Sequence, residues 1–93
     1  MNRSQKLEIA EELAYLGELI VKQVESNPTE RRASNSSQLK VSFIRAGMED
    51  RMQLVRDLSG GSAAFNHALL RLDSCSSRLK AIEASVTTAE VGL

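Results

Sequence analysis

A seven-residue repeat near the C-terminus constrains the fold of this chain more than any other feature. The repeated apolar residues are Phe65, Leu72, Leu79 and Val86, followed at +3 by Ala68, Cys75, Ile82 and Ala89. This is the a/d pattern of a coiled coil, held for about three and a half heptads. On a helix these positions form one narrow apolar strip, which other helices must cover. The pattern predicts a coiled-coil-like helix over about residues 63–88.

The segment over about residues 4–25 has the period of an amphipathic helix. Its apolar residues are Ile9, Leu13, Leu16 and Ile20, with the small residues Ala10, Ala14 and Gly17 beside them. Asn27-Pro28 ends this helix, because the residue before a proline avoids the α conformation. Small side chains let a neighbouring helix approach closely. We therefore predict a partner-binding face formed by Ile9, Leu13, Leu16, Gly17 and Ile20.

Residues 27–37 interrupt the apolar periodicity with polar and turn-forming residues. They predict a mobile linker that lacks an apolar anchor. The segment Arg31-Arg32-Ala33-Ser34 matches a pattern favoured by basophilic kinases, although a match of four residues often arises by chance.

A second helix is predicted over about residues 38–58, with Val41, Ile44, Met48, Met52, Val55 and Leu58 on one face. Over residues 39–46 the alternation of apolar and polar residues would also suit a short strand. A lone strand has no partner strand in this chain, so helix is favoured throughout, with a break possible near Gly47.

Ser59-Gly60-Gly61-Ser62 is the clearest turn signal in the sequence. A glycine just past a helix end can adopt the left-handed conformation, and Ser62 is a natural N-cap for the next helix. The short turn predicts an αα-hairpin of the second and third helices. The expected fold is all-α, a single three-helix bundle over residues 1–93 with this hairpin at its C-terminus.

Few residues in the chain could carry catalysis or bind a metal. His67 is the only histidine, and it lies eight residues from Cys75, the only cysteine. That separation is about 12 Å on a helix, too far for both to bind one ion or to act as a nucleophile and its base. Cys75 is expected to be a small buried side chain, or a contact across a dimer interface. We expect no catalytic residue, no metal and no cofactor.

The charges are balanced, with 12 Lys and Arg against 12 Asp and Glu. Proteins that bind duplex DNA usually carry a basic excess, and a net charge of zero permits self-association. No unbroken apolar run suggests a membrane span or a signal peptide, so a cytoplasmic location is expected.

These observations favour a non-catalytic protein–protein interaction module. It would be a small regulator, inhibitor or adaptor that docks a helical face onto a larger protein, as a homodimer. The predicted self-association residues are Phe65, Ala68, Leu72, Cys75, Leu79, Ile82 and Val86. The alternative is a small helical DNA-binding regulator that uses the second helix, with Arg31 and Arg32 on the arm before it.

Limited trypsin digestion of the folded protein should cut first after Arg31 or Arg32, because the predicted linker has no apolar anchor. Mass spectrometry of the earliest fragments identifies the site. Protection of this stretch while the helices are cut would contradict the prediction.

Overall fold

The structure is a computed structural model that describes residues 1–26 and 35–91, with side chains described for residues 1–26 and 39–84. Three helices, α1 (Arg3–Ser26), α2 (Asn35–Ser59) and α3 (Asn66–Val91), pack against one another, and a 3-10 turn, Ala63–Phe65, precedes α3. The described residues contain no strand. The predicted all-α bundle is therefore confirmed.

The helix bounds differ from the predicted ones mainly at α2 and α3. α2 begins at Asn35, so residues 35–37 are helical rather than linker, and residues 27–34, with the kinase pattern, lie outside the described residues. α2 continues unbroken through residues 39–46 and Gly47, which decides for helix over strand. α3 runs on to Val91, past its predicted end, because no glycine or proline interrupts it before Gly92.

The turn between α2 and α3 has the predicted geometry. Gly60 and Gly61 have φ angles of 55° and 87°, which L-residues with a side chain rarely adopt. The Ser62 N–H donates to the Ser59 carbonyl at 3.0 Å, and the Ser62 hydroxyl accepts a hydrogen bond from the Ala64 N–H at 3.3 Å. The chain thus reverses within a few residues and makes α3 antiparallel to α2.

The core lies along the a/d strip of α3. Its members from that strip are Phe65, Ala68, Leu72, Cys75, Leu79 and Ile82. α1 contributes Ala10, Ala14, Val21 and Val24, and α2 contributes Val41, Met48, Met52 and Val55. The heptad strip is therefore covered by the other two helices of the same chain.

At Gly17, α1 lies close to both other helices. A Cβ atom added to Gly17 would lie 3.0 Å from Leu72 Cδ2 and 3.2 Å from Met48 Sδ. α1 therefore packs against both other helices at a point where even a methyl group would push against its neighbours. By contrast, a Cβ at Gly47 would meet nothing within 4 Å.

Gly17→Leu should lower the free energy of unfolding by roughly 1–3 kcal/mol, because the new side chain has no space between Leu72 and Met48. The matched control, Gly47→Ala, should raise it by up to about 1 kcal/mol through helix propensity alone. Thermal unfolding followed by circular dichroism at low micromolar concentration compares the two. Equal effects would show that the contact at Gly17 does not limit packing.

Candidate interaction surface

The boundary between α1 and α3 is bridged by ion pairs. Arg71 donates from Nη1 to Glu11 Oε2 at 2.6 Å, and from Nη2 and Nε to the two Glu18 carboxylate oxygens at 2.6 and 3.1 Å. Further along both helices, Arg78 binds Glu25. The hydrogen bond from Arg71 holds the pKa of Glu18 below its ordinary value. Because the pairs follow increasing numbers on both helices, α1 and α3 run parallel.

The boundary between α2 and α3 is bridged in a similar way. Glu83 accepts hydrogen bonds from Arg45 Nε and from the Ser42 hydroxyl, both at 2.7 Å. These bonds, Arg45 first, lower the pKa of Glu83. The buried Ser76 hydroxyl donates to Glu49 at 2.8 Å. Two of the three helix boundaries are thus spanned by polar contacts between partly buried side chains.

The boundary between α1 and α2 has a different character. Between residues 5 and 23, α1 makes no side-chain hydrogen bond or ion pair to α2, as far as the described side chains show. Large apolar side chains are exposed there instead. Ile9 and Leu16 are each 40% exposed, while on α2 Phe43 is 81% and Leu54 51% exposed.

Helical phase places these residues on the flanks of α1 and α2 that face each other. Two residues turn a helix by about 200°, to the other flank. Ile9 lies two residues before Glu11, and Leu16 lies two residues before Glu18. Both glutamates bind α3. On α2, Gly47 comes two residues after Arg45, and Arg51 comes two residues after Glu49. Both Arg45 and Glu49 bind α3. All four therefore lie away from α3, along the α1–α2 boundary.

The contact between Gly17 and Met48 sets which residues are level along the bundle. α1 and α2 run antiparallel, because Arg3 at the start of α1 donates to Ser62 just after α2. At 1.5 Å per residue, three pairs then lie within about 5 Å of the same height. These pairs are Ile9 with Leu54, Glu12 with Arg51, and Leu16 with Gly47. We call these six residues, together with Phe43 one turn before Gly47 on α2, the open face.

The open face carries one acid and one base. Arg51 is half-buried, and its Nε is enclosed without a hydrogen-bond partner. Glu12 is exposed, and no side-chain partner is found for it among the described residues. The surface is therefore apolar with a single complementary pair of charges at one level.

The residues predicted to mediate self-association lie in the core of the single chain. Phe65, Ala68, Leu72, Cys75 and Leu79 are at most 1% exposed and Ile82 is 9% exposed, while the Val86 side chain lies outside the described ones. A second copy cannot reach these side chains without displacing α1 or α2. Self-association itself stays a prediction and needs another surface.

The predicted partner face on α1 divides into two parts. Gly17 is buried, Leu13 and Ile20 are half-buried against the core, and Ile9 and Leu16 are exposed. Sequence reasoning missed Glu12 and the whole α2 half of the open face. The available signal was Gly47. It lies in the middle of a helix, and no close contact within the chain requires a glycine at that position.

The cysteine and the histidine lie apart from the open face. Cys75 is buried, and desolvation raises the pKa of its thiol. His67 is exposed, with Nδ1 3.5 Å from Glu11. No group of three or more potential metal-binding side chains occurs in the described part of the chain.

Several basic side chains of α2 and α3 are engaged within the bundle. Arg45, Arg71 and Arg78 bind glutamates, and Arg51 is half-buried. A phosphate backbone would have to compete with those carboxylates. The geometry therefore gives little support to a DNA-binding face on α2 and α3.

Neither the protein-family models, nor the curated proteins, nor the solved structures include a match to this chain. No helix within residues 3–26 or 35–91 has an apolar stretch that could cross a bilayer.

Arg71→Gln should lower the free energy of unfolding at pH 7 by about 1 kcal/mol, because it removes the pairs with Glu11 and Glu18. The folded pKa of Glu18 is depressed, so its pair stabilises the protein above the ordinary glutamate pKa of about 4.3. That stabilisation is lost as the pH falls through the folded pKa. The gap between wild type and variant in thermal unfolding should therefore narrow as the pH falls below about 4.3.

The exposed Arg56 supplies the control, since Arg56→Gln removes the same charge without breaking a described ion pair. A gap between wild type and Arg71→Gln that is unchanged from pH 7 to pH 3 would contradict the role given to Glu18.

Proposed function

We propose that this chain is a non-catalytic protein–protein interaction module that binds its partner through the open face. It belongs functionally with small regulators, inhibitors and adaptors, which act by docking a helical surface onto another protein. The cytoplasm is the proposed location, since its reducing conditions suit a chain with one unpaired cysteine.

The contrast between the three helix boundaries is the observation that supports the proposal. A bundle needs its boundaries covered, and ion pairs and hydrogen bonds do this where α3 meets α1 and α2. The α1–α2 boundary instead exposes four large apolar side chains, Ile9, Leu16, Phe43 and Leu54. A contiguous apolar surface rimmed by polar residues is typical of protein-binding sites.

The alternative, a helical DNA-binding regulator, can be tested with a fluorescein-labelled duplex at low salt. Affinity that falls linearly with the logarithm of salt concentration would support that alternative. The proposed function expects no saturable binding.

Leu16→Lys should abolish partner capture without unfolding the chain, because it places a charge in the middle of the open face at a partly exposed position. Tagged wild type and tagged variant serve as baits in an extract of the native organism. Quantitative mass spectrometry identifies the proteins that each bait retains, including untagged copies of this chain. Circular dichroism confirms that the variant is folded.

Leu70→Lys is the matched control, because Leu70 is an exposed leucine of α3 outside the open face. The proposal expects at least one protein retained by wild type and Leu70→Lys and lost with Leu16→Lys. The same set of retained proteins with all three baits would reject the open face as the binding surface.

A further inference from the structure

We infer that the open face pairs with the open face of a second copy of this chain, in a symmetric dimer whose two-fold axis runs parallel to the bundle. This inference rests on the proposed function and names the occupant of the same surface. In this dimer, α1 of each copy lies against α2 of the other. The interface therefore contains four helices, and the helices that meet across it are antiparallel.

The level pairing of α1 with α2 is the first argument for a second copy. A two-fold rotation about an axis parallel to the bundle places α1 of one copy opposite α2 of the other. The rotation does not change the position of any residue along the bundle axis. The three pairs that are level within one chain are then also level between chains. Ile9 of one copy meets Leu54 of the other, so an exposed apolar residue of α1 finds an exposed apolar residue on α2.

Size complementarity is the second argument. Gly47 is at the height of Leu16, and a Cβ there would meet nothing within its own chain. A glycine in a helix interior costs about 1 kcal/mol relative to alanine, and nothing in the described monomer requires it. In the dimer, the Leu16 side chain of one copy fits over the Gly47 backbone of the other, as a knob fits a hole.

Charge complementarity is the third argument, and it selects this arrangement over others. In the dimer Glu12 of one copy faces Arg51 of the other, and the symmetry forms this pair twice. The guanidinium of the half-buried Arg51, which forms no ion pair among the described side chains, then gains a carboxylate acceptor. A chain with no net charge does not oppose the association by overall repulsion.

Charge reversal tests the inference through a mixture of two variants. Glu12→Arg alone sets two guanidinium groups against each other across the interface, and Arg51→Glu alone sets two carboxylates against each other. Each variant should therefore dimerise at least roughly tenfold more weakly than wild type. An equimolar mixture restores both attractive pairs. Sedimentation equilibrium should show dimeric wild type, monomeric single variants and a one-to-one heterodimer in the mixture.

Gly47→Gln provides an independent readout that does not depend on charge. Glutamine favours the helix over glycine, so the monomer should be at least as stable, yet its bulk at the centre of the interface should weaken dimerisation at least roughly tenfold. A variant that melts at a higher temperature at low concentration and yet dimerises more weakly would show that Gly47 serves the dimer interface and not the fold of the monomer. Leu70→Lys should dimerise like wild type.

Three results would overturn the inference. They are a wild type that stays monomeric up to high micromolar concentration, folded charge variants whose mixture stays monomeric, and a Gly47→Gln chain that dimerises like wild type. If extract capture nevertheless depends on Leu16, the proposed function stands with a different protein on the open face. If capture is also independent of Leu16, the proposed function fails as well.

Discussion

Burial of the α3 heptad strip within one chain is the constraint on which the rest of this structure depends. Phe65, Leu72 and Leu79 are covered on one side by small α1 residues and on the other by methionines and valines of α2. Each helix directs its most apolar face to this core. The residues that remain on its flanks then decide how the bundle is held and where it can bind.

The flanks of the three helices are not equivalent, so the surfaces of the bundle differ in chemical character. α3 supplies Arg71, Arg78, Ser76 and Glu83, which bind the other helices. Over most of their described length, α1 and α2 have no such contacts with each other and present apolar side chains instead. The function proposed for the chain follows from this asymmetry, since a surface left uncovered by its own fold is available to another protein.

Periodicity was sufficient to predict the three helices and the buried α3 strip, and the Ser59-Gly60-Gly61-Ser62 signal predicted the hairpin turn. It could not predict which molecule covers that strip, because a heptad pattern is the same whether the neighbouring helices belong to one chain or two. The open face was also out of reach, since it joins residues of α1 and α2 that are distant in sequence and whose alignment depends on the contact between Gly17 and Met48. Phe43 in particular alternates with polar neighbours and gave no helical signal of its own.

The ion pairs between α1 and α3 repeat at the same interval on both helices. Glu11, Glu18 and Glu25 are spaced by seven, and so are Arg71 and Arg78. If α1 slid along α3 by one heptad, about 10 Å, carboxylates would again meet guanidinium groups. The pairs therefore set the rotation of α1 and its parallel direction but tolerate that slip. The close approach at Gly17 opposes that slip, since it would bring the side chain of Ala10 or Val24 against Leu72 and Met48. Tight packing at one glycine and the loss of one of the three ion pairs thus favour the same alignment.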